Sequence, residues 1–119
     1  MTDPLLTQLA QRLARQPDKS ERARARFHLL DWLACIAGAR GQEASDLGCV
    51  ISQRSWEKAT YMGNVLGAQD VHRAAALYPG PVIWPAANSY ESAGLEARID
   101  AAIRGYEAMI AVGLAMGAG

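Results

Sequence analysis

Among 119 residues this chain has two cysteines, two histidines and one phenylalanine, and its twelve basic residues are cancelled by twelve acidic ones. Each scarcity excludes something. The histidines lie at positions 28 and 72, and neither they nor Cys35 and Cys49 show CxxC or HxxxH spacing, so no recognisable metal site is expected. Neither cysteine has a neighbouring histidine to stabilise a thiolate, which argues against a catalytic thiol. A net charge of zero gives no electrostatic reason to bind nucleic acid or an anionic membrane surface. The apolar run at residues 108–119 is twelve long, short of the roughly twenty needed to cross a bilayer, and Asp100, Arg104 and Glu107 interrupt it upstream. No charged start followed by an apolar stretch and a small-residue cleavage site precedes the first polar run, so a cytoplasmic protein with reduced thiols is expected. Sustained period-two alternation, internal repeats and low-complexity tracts are missing as well, and GNVLG lacks the lysine and spacing of a phosphate-binding loop. A single all-α domain over residues 1–119 is the expected fold class.

What is present is helical periodicity. Pro4 opens a first amphipathic helix bearing Leu5, Leu6, Leu9 and Leu13, and the pair Gln16, Pro17 ends it. Asp18 then caps a second helix, with Glu21 placed to reach back, and an apolar face of Ala25, Leu29, Trp32, Leu33 and Ile36 runs to Gly38 and Gly41. Arg22 and Arg26, one turn apart, read as a solvated face. His28, on an apolar face, reads as core or interface rather than site. A third helix is expected at residues 43–54 with Leu47, Val50 and Ile51, and a loop or a short extended piece at 55–60. Pro85 is expected to begin a helix reaching Ser92, Gly94 to break it, and a last helix to run over residues 96–116. The apolar end of that helix carries no basic residue in its last turn, and Gly105, Gly113 and Gly117 permit close approach of a neighbour. A covering partner is therefore expected.

Chemistry concentrates between residues 61 and 87, YMGNVLGAQDVHRAAALYPGPVIWPAA. Gly63 and Gly67 precede Asp70, His72 and Arg73, and a rigid Pro79, Gly80, Pro81 turn follows Tyr78. Trp84 is expected in the core. Asp70 suits a base equally well as a helix cap or an ion pair with Arg73, and His72 suits a base equally well as a satisfied polar residue near a loop. Tyr78 is a packing residue or a donor to a developing oxyanion, and Arg73 a fork for a carboxylate.

Three segments, RARFHLLDWLACIAGAR, GNVLGAQDVHRAAALYPGPVIWPAA and AAIRGYEAMIAVGLAMG, resemble the N-terminal part of the MmgE/PrpD family, which includes 2-methylcitrate dehydratase and cis-aconitate decarboxylase. The resemblance spans nearly the whole chain and is most specific at DVHR with YPGPVIWPAA and at IRGYEAMIAVGLA. Family members are much longer, with a large all-helical domain and a smaller α/β domain. The resemblance thus implies a helical-bundle fragment of the large domain, lacking the later lysine and histidine residues of the family site. Family enzymes show an acid-rich run, DFDDT-like or DDVH-like, and then a histidine in an HPG or HPS turn. Here AQDVH keeps Asp70, places Gly67 or Ala68 at the first acid, and puts Tyr78 where the turn histidine is expected.

The implied function is the small subunit of a split enzyme, probing a small carboxylate- or carbonyl-containing substrate jointly with a larger MmgE/PrpD-like chain. The reaction would be a cofactor-independent lyase or isomerase step begun by proton abstraction, with Asp70, His72 and Tyr78 catalytic and Arg73 binding substrate. The alternative is a noncatalytic assembly subunit with an eroded site. Association with the larger chain, or of copies with one another, is expected through the C-terminal apolar helix.

Overall fold

A computed structural model describes residues 4–40, 72–75 and 77–117. The described residues form four α-helices and one 3-10 turn: α1 (Pro4–Ala14), α2 (Lys19–Gly38), the 3-10 turn (Arg73–Ala75), α3 (Gly80–Asn88) and α4 (Leu95–Gly117). The all-α class is as expected, and the described residues form no strand beyond an isolated His72–Leu77 bridge. The expected helix at 43–54, the loop or extended piece at 55–60, Cys49, Gly63, Gly67 and Asp70 lie outside the described residues.

Local chemistry sets the ends of α1 and α2. Pro4 occupies the first position of α1, where its missing N–H would be unpaired anyway. The helix stops at Ala14, ahead of a buried Pro17. Asp18 and Glu21 then form a reciprocal capping box: the Glu21 backbone N–H donates to the Asp18 carboxylate at 2.8 Å, and the Asp18 N–H donates to the Glu21 carboxylate at 2.7 Å.

The core lies where α2, α3 and α4 meet. Ala25 and Trp32 from α2, Trp84 and Ala87 from α3, and Ile99, Ala102 and Ile103 from α4 form one cluster, with Leu29, Ile36, Ile83 and Tyr106 packed around it. Trp84 is at its centre, 1 % exposed and edge-on to the Tyr106 ring at 6.2 Å. Cys35 is also buried, as a thiol. Leu33, expected on the buried face, is instead 46 % exposed, because α2 turns Trp32, Cys35 and Ile36 toward its neighbours.

Helix α3 begins earlier than Pro85. Gly80 and Pro81 form its first turn behind Pro79, and the Val82 and Ile83 N–H groups donate to the Pro79 carbonyl at 3.1 and 2.9 Å. A segment read as a rigid turn is therefore a helix start, since prolyl φ is already helical and first-turn donors need no partner. Pro85 sits inside the helix, where the burial of Pro81, Trp84, Pro85 and Ala87 offsets the missing donor. The helix ends at Asn88 rather than Ser92. Arg98 spans the connection to α4, donating to the carbonyls of Ala93 and Glu91 at 2.8 Å each.

Helix α4 contacts every other element named above, and its polar side is held by charge. Arg22 grips Asp100 with two hydrogen bonds of 2.7 and 2.9 Å, and Arg26 pairs with Glu96. These two arginines form interhelical links rather than the solvated face expected. Arg15, beyond the end of α1, pairs with both Glu21 and Glu107. No residue of α1 is fully buried, and Leu9 and Leu13 are its half-buried positions.

The Arg15 guanidinium and the Asp18 N–H hold the Glu21 carboxyl down at about 2, and Arg22 lowers Asp100. A carboxyl whose folded pKa is depressed favours folding above its unfolded value, about 4.3 for glutamate, and loses that contribution as pH falls toward the folded value. Acid titration followed by circular dichroism should show helicity falling between those limits, with a shallower dependence in Glu21→Gln. An identical titration in that variant would remove the link from acid sensitivity.

Candidate functional site

The segment that carries the candidate residues is a tight loop seated on α4. The His72 N–H donates to the Leu77 carbonyl at 2.9 Å and the Leu77 N–H returns to the His72 carbonyl at 3.4 Å, closing the loop around the 3-10 turn. Its seat is Gly113. A Cβ there would lie 2.5 Å from Leu77 Cδ1, 2.9 Å from the Ala75 carbonyl oxygen and 3.0 Å from Ala75 Cβ, so only hydrogen leaves room for the loop. Gly105 admits Ile83 of α3 in the same way, whereas Gly117 has nothing within 4 Å and performs no such role.

His72 is half-buried and its Nδ1 accepts a hydrogen bond from the Ala75 N–H at 3.2 Å. A backbone amide can only donate, so Nδ1 is unprotonated and the neutral ring carries its hydrogen on Nε2. In that tautomer the outward nitrogen is a donor. His72 is thereby suited to orienting a substrate atom through an Nε2 hydrogen bond, and unsuited to accepting or releasing a proton while the loop bond persists. Tyr78 is 54 % exposed and precedes Pro79, one of the largest fully buried side chains. Arg73 is exposed at the start of the 3-10 turn. Among the described residues no hydrogen bond or ion pair joins His72, Arg73 and Tyr78. They share one loop on an open surface.

A cleft of about 320 Å³ opens elsewhere, between α1, α2 and α4. Ala25, Ile103, Ile110 and Leu114 supply its apolar lining and Arg12, Glu21, Arg24 and Glu107 its charge, while the His28 and Tyr106 rings lie 5.6 Å apart on its wall. His28 is exposed there rather than core, as α2 directs Ala25 and Trp32 inward instead. Glu21 and Glu107 are both engaged by Arg15, and the depressed Glu21 carboxyl stays ionised at neutral pH, so it cannot serve as a general acid. None of His72, Arg73 and Tyr78 lines this cleft.

The cleft and its charged rim were missed by sequence reasoning. Glu21 and Glu107 share a guanidinium although 86 positions separate them, and no local pattern encodes that meeting. Among the described residues no group of three or more His, Cys, Asp or Glu side chains is placed to hold a metal, and no helix is long and apolar enough to cross a membrane. Comparisons of the chain with protein families, curated proteins and solved structures gave no match.

Proposed function

We propose that this chain is the small subunit of a split MmgE/PrpD-like enzyme and contributes one wall of a site completed by a larger chain. The reading rests on the motif resemblance, and the observation that carries it further is the open presentation of the His72 to Tyr78 loop. Its seat at Gly113 is flanked by Val112, Leu114 and Met116, which are 50, 44 and 80 % exposed. A second chain laid over that end of α4 would bury apolar surface and enclose the loop in one step.

The reaction class is proton abstraction beside a carboxylate or carbonyl, followed by elimination, epimerisation or cyclisation, without a cofactor. Because the Ala75 bond leaves His72 with an Nε2 donor, Asp70 is the better base and His72 the better hydrogen-bond donor to the substrate. Tyr78 then donates to a developing oxyanion and Arg73 holds a substrate carboxylate. The work is done in the cytoplasm, on a small molecule, with neither nucleic acid nor membrane as a partner.

The second reading, a noncatalytic assembly subunit, draws support from the same hydrogen bond, which spends one His72 nitrogen on the chain's own loop. The two separate when the chain is coexpressed with the larger chain of a neighbouring reading frame. For the catalytic reading, Asp70→Ala lowers kcat by about 10²–10⁴-fold and His72→Ala, which removes a donor to the substrate, by about 10²–10³-fold, while the complex stays intact. Full activity in those variants and in Tyr78→Phe leaves only the assembly role.

A further inference from the structure

Helix α2 is apolar on two sides, and only one of them belongs to the core. Ala25, Trp32 and Cys35 are buried, with Leu29 and Ile36 half-buried beside them. On the other side Ala23, Phe27, Leu30, Ala34 and Ala37 follow one another at spacings of four, three, four and three residues, and all five are exposed, Phe27 by 73 % and Leu30 by 61 %. That alternation is the seam of a two-helix coiled coil, in which each side chain enters a hole on a facing helix. From Ala23 to Ala37 it extends about 21 Å at 1.5 Å per residue. A face so regular is unusual for a helix surface meant for water.

We propose that the outer face of α2 is the interface of a homodimer, formed by antiparallel pairing with α2 of a second copy. The charges along the seam select this occupant and this direction. In the heptad defined by the five apolar residues, Arg24 and Asp31 take the same flanking position, about one turn before and one turn after Phe27. Both are exposed, and neither has a hydrogen bond or ion pair among the described residues. Antiparallel pairing that sets Phe27 against Leu30 of the second copy and Ala23 against its Ala34 brings Arg24 beside the second copy's Asp31. The two-fold axis repeats each of these contacts, so one surface complements itself.

Parallel pairing fails on the same residues. It would put Arg24 against Lys19, a like charge, and would ask Asp31 to pair with Arg26, which Glu96 already holds. In the antiparallel register the like charges Lys19 and Arg40 approach only beyond the last apolar layer, where both are exposed to water. Large side chains meet at the centre of the seam and alanines at its ends, which lets the helix axes come close without voids. The dimer does not depend on the larger chain proposed above.

Sedimentation equilibrium on the full chain alone tests the proposal. The wild-type chain is expected to dimerise with rising concentration, and Leu30→Glu to remain monomeric with unchanged helicity, since the substituted side chain is exposed and leaves the core intact. Arg24→Glu should weaken the dimer about tenfold by placing two like-charge pairs on its rim, and the double variant Arg24→Glu with Asp31→Arg should restore it. A wild-type chain that stays monomeric at its highest soluble concentration overturns the proposal. So does a Leu30→Glu chain that still dimerises, particularly if Leu114→Glu then abolishes the dimer and moves the interface to α4. Failure of the charge swap to restore binding rejects the antiparallel register.

Discussion

Replacing Trp84 with alanine will lower folding stability by about 3–5 kcal/mol, the range for removing a large buried aromatic. Trp84 is 1 % exposed and is flanked by buried Pro81, Pro85 and Ala87 on α3. Little around it can collapse into the space, because two of those neighbours are rigid prolines and Tyr106 approaches edge-on. Among the described residues the indole N–H has no hydrogen-bond partner, so a buried donor goes unsatisfied there. Trp84→Phe should therefore lose much less than area alone suggests, since it removes the unsatisfied donor together with part of the ring. Chemical denaturation of the two variants measures both. Losses of equal size would show that the indole is satisfied in solution, and a Trp84→Ala loss under about 1 kcal/mol would mean that this core is not the stabilising one.

Gly113→Val is expected to cost about 2–3 kcal/mol, at the upper end for overpacking, even though valine relieves the entropic penalty of a helical glycine. The Leu77 side chain can rotate away from a new Cβ, but the Ala75 carbonyl at 2.9 Å is backbone and can yield only if the loop lifts from α4. The damage should appear in the loop first. Hydrogen exchange at the Ala75 and Leu77 amides, which donate to His72 Nδ1 and the His72 carbonyl, ought to accelerate more than exchange in α2. Gly117→Ala, with nothing within 4 Å, serves as the neutral control. Gly105→Ala falls between them, because the obstruction at 2.8 Å is the flexible end of Ile83. If Gly113→Val leaves those amides protected, the loop is not seated where Gly113 places it. Within the proposed enzyme the same substitution would reduce activity without altering any reacting group, because His72 and Tyr78 ride on that loop.

The legible parts of the chain were those governed by neighbours in sequence. Pro4 and Pro17 bracket α1, and Asp18 with Glu21 announces α2, because caps and prolyl rings act within about one turn. Gly105 and Gly113 were recognisable as points of close approach, although Gly117 of the same pattern has no neighbour. The start of α3 was misread since Pro79, Gly80 and Pro81 satisfy a turn and a helix N-terminus alike, and the burial of Trp84 and Pro85 decides between them. For the candidate site, motif spacing identified His72, Arg73 and Tyr78 as one segment. It could not reveal that the Ala75 amide dictates the His72 tautomer, a consequence of how the loop closes.

Residue order alone was enough to specify the all-α class, the limits of the first two helices and the segment that carries His72, Arg73 and Tyr78, because each depends on backbone preferences and hydrogen bonds a few residues apart. How Arg22 and Arg26 reach Asp100 and Glu96 across 78 and 70 positions, and where the cleft opens, were decided only by packing. Charged partners so far apart in sequence meet only once α4 packs beside α2, since no local backbone preference links them. In this chain α3 and α4 cover the Ala25 and Trp32 side, and that choice leaves the Phe27 and Leu30 side outward.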